Sequence, residues 1–362
     1  MEYAVFALAL TTLGFGGAAL WLWTHPRTVL VPGPPYPVHV PPVPLPPVPQ
    51  PDPMPRPDLA PVPVPAPAPV APLVDDKALP DGGEHHGEVQ ALPDEPDTIP
   101  DSVVDGARFG RLVARAGATR GAVPRRDRRL RRQHAALAVI NRCDPPLLLS
   151  AVAAGRPGSA VPQLSSVQVL RSIRTRINER APDLDGAWTA LVSGNGDKRA
   201  LGEVLTAVVA ALTDPLSELG RRRNQAPDAL AVELTCVLSR LGDTDRRQHL
   251  AFGVGGGPVL RLSPDQSWAP ILDPTGSTPS LPHHSPDVSW DAFETKPGDV
   301  VALCTASTAG LTRNPETGGF LAEQWIDPAP LPRYLWQLNI HSQTSRDDRA
   351  AVCLWDLADN GH

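Results

Sequence analysis

Residues 249–262 read HLAFGVGGGPVLRL, and this stretch decides among the fold classes open to the chain. HLAFGVG (249–255) and PVLRL (258–262) are short apolar runs set around a glycine cluster, the pattern of two strands joined by a turn. GVGGG (253–257) also admits a nucleotide-binding reading, but no helix follows whose N-terminus could hold phosphate, so a flexible turn is the better assignment. Outward from it, the same kind of strand recurs in AALAVIN (135–141), LLLSAVA (147–153), ALAVELTCVL (229–238), VVALCT (300–305) and AAVCLW (350–355). Residues 162–181 and 198–221 instead carry apolar side chains at helical spacing: Val167, Leu170, Ile173 and Ile177, then Leu201, Val204, Val208 and Leu212. SGNGDKR (193–199) holds an Asn-Gly turn signal that leads into the second of these helices. Helical segments return at 318–326 and 331–339. Strands, a helical block, more strands and then helices among strands predict an α+β fold with a largely antiparallel sheet system.

Ahead of this region the composition changes. The chain has 362 residues and 45 prolines, of which 20 fall within residues 32–72. Such a density removes too many backbone donors for helix or sheet and predicts a polyproline II rod that spans about 120 Å if fully extended. Residues 73–105 are acidic and polar and cannot bury enough apolar area to fold; within them Glu84, His85 and His86 have no further ligands nearby and read as solvated. Residues 3–24 (YAVFALALTTLGFGGAALWLWT) carry no charge over 22 positions, enough to cross a hydrocarbon core of ~30 Å, with Tyr3, Trp21 and Trp23 near the ends. No Lys or Arg precedes the run and it exceeds the usual apolar length of a signal peptide, so a permanent anchor is favoured. The expected organisation is an anchor helix at 1–24, a disordered linker at 25–106 and a globular domain at 107–362. Glu2 before the span and Arg27 after it put the domain in the cytoplasm of a single-pass cell-membrane protein.

The net charge of −6 divides into −8 over residues 1–100 and +2 over the rest, which excludes nucleic acid as the domain's partner. Residues 108–132 hold ten arginines and one acid, Asp127, and read as a solvated basic strand or loop. The sharper alternative is a site for acidic or phosphate-bearing partners, with Arg129, Arg131 and Arg132 as candidate donors. Cys143, Cys236, Cys304 and Cys353 are far apart and form no C-x-x-C pair, so buried free thiols in a reducing compartment are expected rather than a disulfide framework or zinc site.

The familiar hydrolase and nucleotide motifs are absent. Five segments in order nevertheless resemble a known family, the metal-dependent protein phosphatases of type 2C in their actinobacterial-like form. GATRG (117–121) with RRQHAALAV (131–139) is similar to the opening strand pair, which usually ends in Arg-Gln-Asp. LLLSAVAAGRPGSA (147–160) resembles the strand and Asp-Gly turn followed by Gly-Ser-Ala. HLAFGVGGGPVLRL resembles the hairpin with a Val-Gly-Asp-Gly turn, and KPGDVVALCTASTAGLTR (296–313) the Gly-Asp strand ending in Thr-Asp-Gly. SRDDRAAVCLWD (345–356) resembles the terminal Asp-Asp-Arg-Thr-Ala-Val strand.

The resemblance covers 107–356 and implies a two-sheet antiparallel sandwich flanked by helices. In active members, aspartates at one end hold two Mn²⁺ or Mg²⁺ ions, and a bridging water attacks the phosphorus of phosphoserine or phosphothreonine. Hard divalent ions need anionic oxygens to stay in such a cleft. This chain departs from the pattern at the ligand positions: His134, Ala154 and Ala306 stand where aspartates would, and Gly256 replaces the hairpin aspartate. Asp348 alone keeps its carboxylate, while His134 offers an imidazole and otherwise reads as a surface or interface residue.

The expected function is therefore a pseudophosphatase that uses the fold to bind phosphoproteins or signalling partners, with no cofactor. One alternative is residual Ser/Thr phosphatase activity with Mn²⁺ or Mg²⁺, for which Asp144, Asp299 and Asp347 are the nearby acids. The other is a tethered structural scaffold.

Overall fold

The computed structural model describes residues 99–358 apart from 128, 160, 243–244, 274–279, 283–286 and 341–344. The expected anchor at 3–24 and the proline-rich stretch lie outside the described residues.

Among the described residues, eleven strands form two antiparallel sheets. One has the order β1 (Ser102–Phe109), β2 (Leu112–Thr119), β11 (Arg349–Asp356), β10 (Val300–Cys304), β7 (Val259–Leu262), β8 (Trp268–Leu272). The other runs β3 (Gln133–Ile140), β4 (Leu147–Gly155), β5 (Val232–Arg240), β6 (Arg247–Val254), β9 (Ser289–Thr295). β4 and β11 are buried along their whole length because each sits inside its sheet and is covered on both faces, which is why they read as unbroken apolar runs. The two sheets face each other through Leu137, Val152, Val237, Leu303 and Val352.

Helices cover both outer faces. After a short α1 (Ala122–Arg126), α2 (Pro162–Glu179), α3 (Ala181–Val192), α4 (Lys198–Ala210) and α5 (Thr213–Arg223) pack Ile173, Trp188, Leu205 and Leu216 against the five-stranded sheet. On the six-stranded sheet lie α6 (Ala306–Arg313), α7 (Pro315–Trp325) and α8 (Leu331–Leu338), with Trp325, Tyr334 and Trp355 at the centre of their cluster. The result is the α+β sandwich flanked by helices that the sequence predicts. Lys198–Arg223 is long and apolar enough to cross a membrane by composition, yet its Leu201, Leu205, Val208, Val209, Leu212 and Leu216 belong to the core.

Three expectations change. The fold begins ahead of residue 107, because β1 starts at Ser102 and Ile99 is already buried; this edge strand takes its order from its ladder with β2 rather than from an apolar pattern. The arginine run is not one solvated segment: it spans the β1–β2 pair, α1 and the lead into β3, and Arg131 within it is buried.

The third concerns residues 249–262, which do not form a hairpin: β6 and β7 belong to different sheets, and the glycines carry the chain from one to the other. This crossing is tightly packed. Thr235 Oγ1 donates to the Gly257 carbonyl at 2.8 Å, and a Cβ on Gly257 would lie 1.9 Å from the Cys304 carbonyl oxygen. Gly257→Ala is therefore expected to destabilise the domain by at least ~2 kcal/mol, since the obstacle is backbone that cannot swing aside. Urea unfolding of the variant measures it, and an unchanged midpoint would contradict the packing.

Candidate functional site

One end of the sandwich gathers the segments that the resemblance singles out: the start of β3, the end of β4, the start of β5, the β10–α6 junction and the residues ahead of β11. Antiparallel register sets which side chains face the cleft there. Gln133 pairs with Ala154, and Ala154 with Glu233, so these three form one row across β3, β4 and β5. Alternation puts that row on the face toward the other sheet, with Leu137, Val152 and Val237.

The neighbouring residue faces the opposite way. His134 is fully buried under α2, where its Nδ1 is 2.8 Å from Ser166 Oγ. Burial, reinforced by the nearby Arg131 charge, holds its imidazole well below the ordinary histidine range. The expectation of a surface histidine, or of a substituted cleft ligand at 134, is therefore corrected: Gln133 occupies the cleft position, and a one-residue step exchanges the faces of the sheet. Gln133 Oε1 accepts from Thr305 Oγ1 and, at 2.9 Å, from Ser307 Oγ, tying β3 to the β10–α6 junction through neutral groups. Ala154 is buried, and Ala306 opens α6.

Asp348 is fully buried and both of its oxygens are taken. Oδ1 accepts the Gly121 backbone N–H at 2.9 Å and Oδ2 that of Arg132 at 2.8 Å. Burial raises its carboxyl above the usual range, and these two amides oppose the rise. Gly121 is required at this junction, since a Cβ there would lie 2.2 Å from the Asp347 carbonyl carbon. The carboxylate thus fastens the β2–α1 turn and the start of β3 to the chain entering β11.

The three candidate arginines separate. Arg131 is buried and donates to the backbone carbonyls of Gln133, at 2.7 Å, and Pro100, at 3.3 Å; burial pulls its guanidinium down to about 10. Arg132 donates to the Gly155 carbonyl at 2.7 Å and to the Asp347 carboxylate. Arg129 is exposed and pairs with Asp127 at 2.9 Å, as does Arg126.

Of the alternative acids, only Asp347 belongs to the cleft. Asp144 lies in the β3–β4 connection and Asp299 at the start of β10, both at the other end of the strands. Asp299 there accepts the Lys296 N–H at 3.0 Å. Glu233 was not singled out by sequence, because nothing in ALAVELTCVL marks its carboxyl as facing the cleft; only the register does. It pairs with Arg156 at 3.4 Å, and burial raises its carboxyl against the pull of Arg156 and Arg132.

These residues do not fit a dinuclear divalent centre. The cleft row offers an amide, a methyl group and a paired glutamate, and the carboxylates ahead of β11 are engaged by backbone amides and a guanidinium. Among the described residues no group of three or more His, Cys, Asp or Glu is placed to hold a metal ion. The four cysteines are buried and free, as expected.

No family model and no curated protein matches the sequence. The chain is similar to solved structures of bacterial phosphatases. A point variant of a bacterial serine phosphatase is 11% identical with a TM-score of 0.46, over 70% of this chain and 100% of that chain. The S. agalactiae serine/threonine phosphatase is 12% identical with a TM-score of 0.45, over 67% of this chain and 99% of that one. The structure of the PP2C phosphatase domain, with a fragment of the regulatory domain, of the cell fate determinant SpoIIE from Bacillus subtilis is 11% identical with a TM-score of 0.39, over 69% and 65%.

Proposed function

We propose that the chain is a membrane-tethered, type 2C phosphatase-like protein whose domain binds a phosphorylated protein partner without hydrolysing it. The observation that carries this reading is the cleft itself: Gln133 and Ala154 face it, Ala306 opens the helix beside it, and its aspartates are committed to amides and Arg132. In the phosphatases that the sequence resembles, two divalent ions acidify the hydrolytic water, and each missing carboxylate costs several kcal/mol of the charge neutralisation that would hold them.

The residues 3–24 segment is the proposed anchor and the proline-rich stretch the spacer, with the domain on the cytoplasmic side. Arg125, Arg126 and Arg129 project from α1 and the residues after it, beside the Gly121 junction, and guanidinium groups there suit phosphate oxygens.

The test is turnover and binding by the full chain. With MnCl2, p-nitrophenyl phosphate and phosphothreonine peptides are expected to remain unhydrolysed, while calorimetry shows saturable peptide binding. Changing Arg126 and Arg129 to Glu is expected to weaken that binding at least about tenfold. Hydrolysis abolished by Asp348→Ala would establish the enzyme reading instead, and an absence of both turnover and binding would leave the scaffold.

A further inference from the structure

The Arg132 side chain is largely buried, and its guanidinium reaches across the cleft from the start of β3. One Nη donates to the Gly155 carbonyl at the end of β4 at 2.7 Å, and the other meets Asp347 ahead of β11. Three carboxylates lie on the segments around this charge. Asp347 touches it, Asp348 receives the backbone N–H of the same residue at 2.8 Å, and Glu233 stands in register beside Ala154. Burial raises the Asp348 and Glu233 carboxyls, and the Arg132 charge pulls both back.

We propose that the Arg132 guanidinium is the resident cation of this cleft, held between Gly155 and Asp347 in place of a divalent ion. The inference rests on the non-catalytic reading above and supplies its mechanism. A divalent ion brought within a few ångströms of a fixed guanidinium meets like-charge repulsion, and Asp347, already paired with that guanidinium, is not free to offset it. The planar fork also cross-links the end of β4 to the chain entering β11. Alanine at 154 and arginine at 132 then form one consistent charge arrangement: a carboxylate added at 154 alone would be neutralised by Arg132 rather than by metal.

The experiment is thermal unfolding of the full chain in excess MnCl2 against EDTA. The wild type and Ala154→Asp are expected to show no metal-dependent shift. Ala154→Asp combined with Arg132→Gln keeps a donor for Gly155 but removes the charge, and its Tm is expected to rise by roughly 5 °C or more with Mn²⁺. Ala154→Asp combined with Arg132→Lys keeps the charge and is expected to stay indifferent to metal. If the Gln double variant does not fold in EDTA, recovery of folded protein in MnCl2 is read instead: recovery supports the assignment and its failure overturns it. A Mn²⁺ shift in the wild type, or Gln and Lys double variants that behave alike, also overturns it. Turnover by the wild type would defeat the proposed function, whereas a metal-indifferent Gln double variant beside an inactive wild type defeats only the assignment of Arg132.

Discussion

Asp348→Ala is expected to cost the fold about 3–5 kcal/mol, because it strips two half-buried backbone donors of a buried, charged acceptor. The Gly121 and Arg132 N–H groups point at this one carboxylate, and the closeness of Gly121 to Asp347 leaves no room for the turn to shift toward another partner. Asp348→Asn should lose roughly half as much, since its carbonyl oxygen still accepts one amide while its NH₂ group opposes the other. Urea unfolding of both variants measures the difference. The outcome bears on why this aspartate stands where the phosphatase pattern has a ligand. A large loss in metal-free buffer assigns it a structural task, whereas a loss below about 1 kcal/mol would leave its burial without a purpose.

Mild acid is expected to destabilise the domain through its buried histidines. His249 is buried with Nδ1 at 2.8 Å from Ser239 Oγ and Nε2 at 2.8 Å from Thr295 Oγ1, and its ring stacks on Phe293 with centroids 4.9 Å apart. Burial first, then the charges of Arg247 and Arg261, pushes its imidazole down to about 3. The folded value lies below the unfolded one of ~6.5, so the folded state takes up its proton later than the unfolded state does. Its contribution to stability is complete above about pH 6.5 and is lost as the pH falls from there toward 3. At pH 5 the loss amounts to about 2 kcal/mol for this one side chain, and His134 adds to it in the same direction. Unfolding free energies at pH 7 and pH 5 should differ accordingly, and His249→Gln should flatten the slope by its share. Equal stabilities at the two pH values would contradict the burial of both rings.

The fully covered parts of the fold are legible in the sequence. β4, β5, β10 and β11 are apolar runs because each strand is covered on both faces, and α2 and α4 show their buried stripe directly. Edge elements are less legible. β1 carries Asp105 and Gly106, β8 carries Pro270, and β9 is half polar; these strands take their conformation from a ladder neighbour, not from their own pattern. The crossing at 253–257 looks like a hairpin because the same glycines serve a tight turn and a passage between sheets. In the site, the five ordered segments converge on one end of the sandwich, but the face of a strand depends on register. His134 and Gln133 differ by one step, and that step separates a helix-covered core position from the cleft. Arg132 is one arginine among ten in its stretch, and only its partners distinguish it.

The aspartates of the cleft are engaged by the chain itself, through Arg132 and two backbone amides. Calorimetric titration of the metal-stripped full chain with MnCl2, followed by the same titration of Ala154→Asp combined with Arg132→Gln, tests this directly. No saturable heat is expected for the wild type, and saturable binding for the double variant. Saturable Mn²⁺ binding by the wild type, abolished by Asp348→Ala, would contradict it.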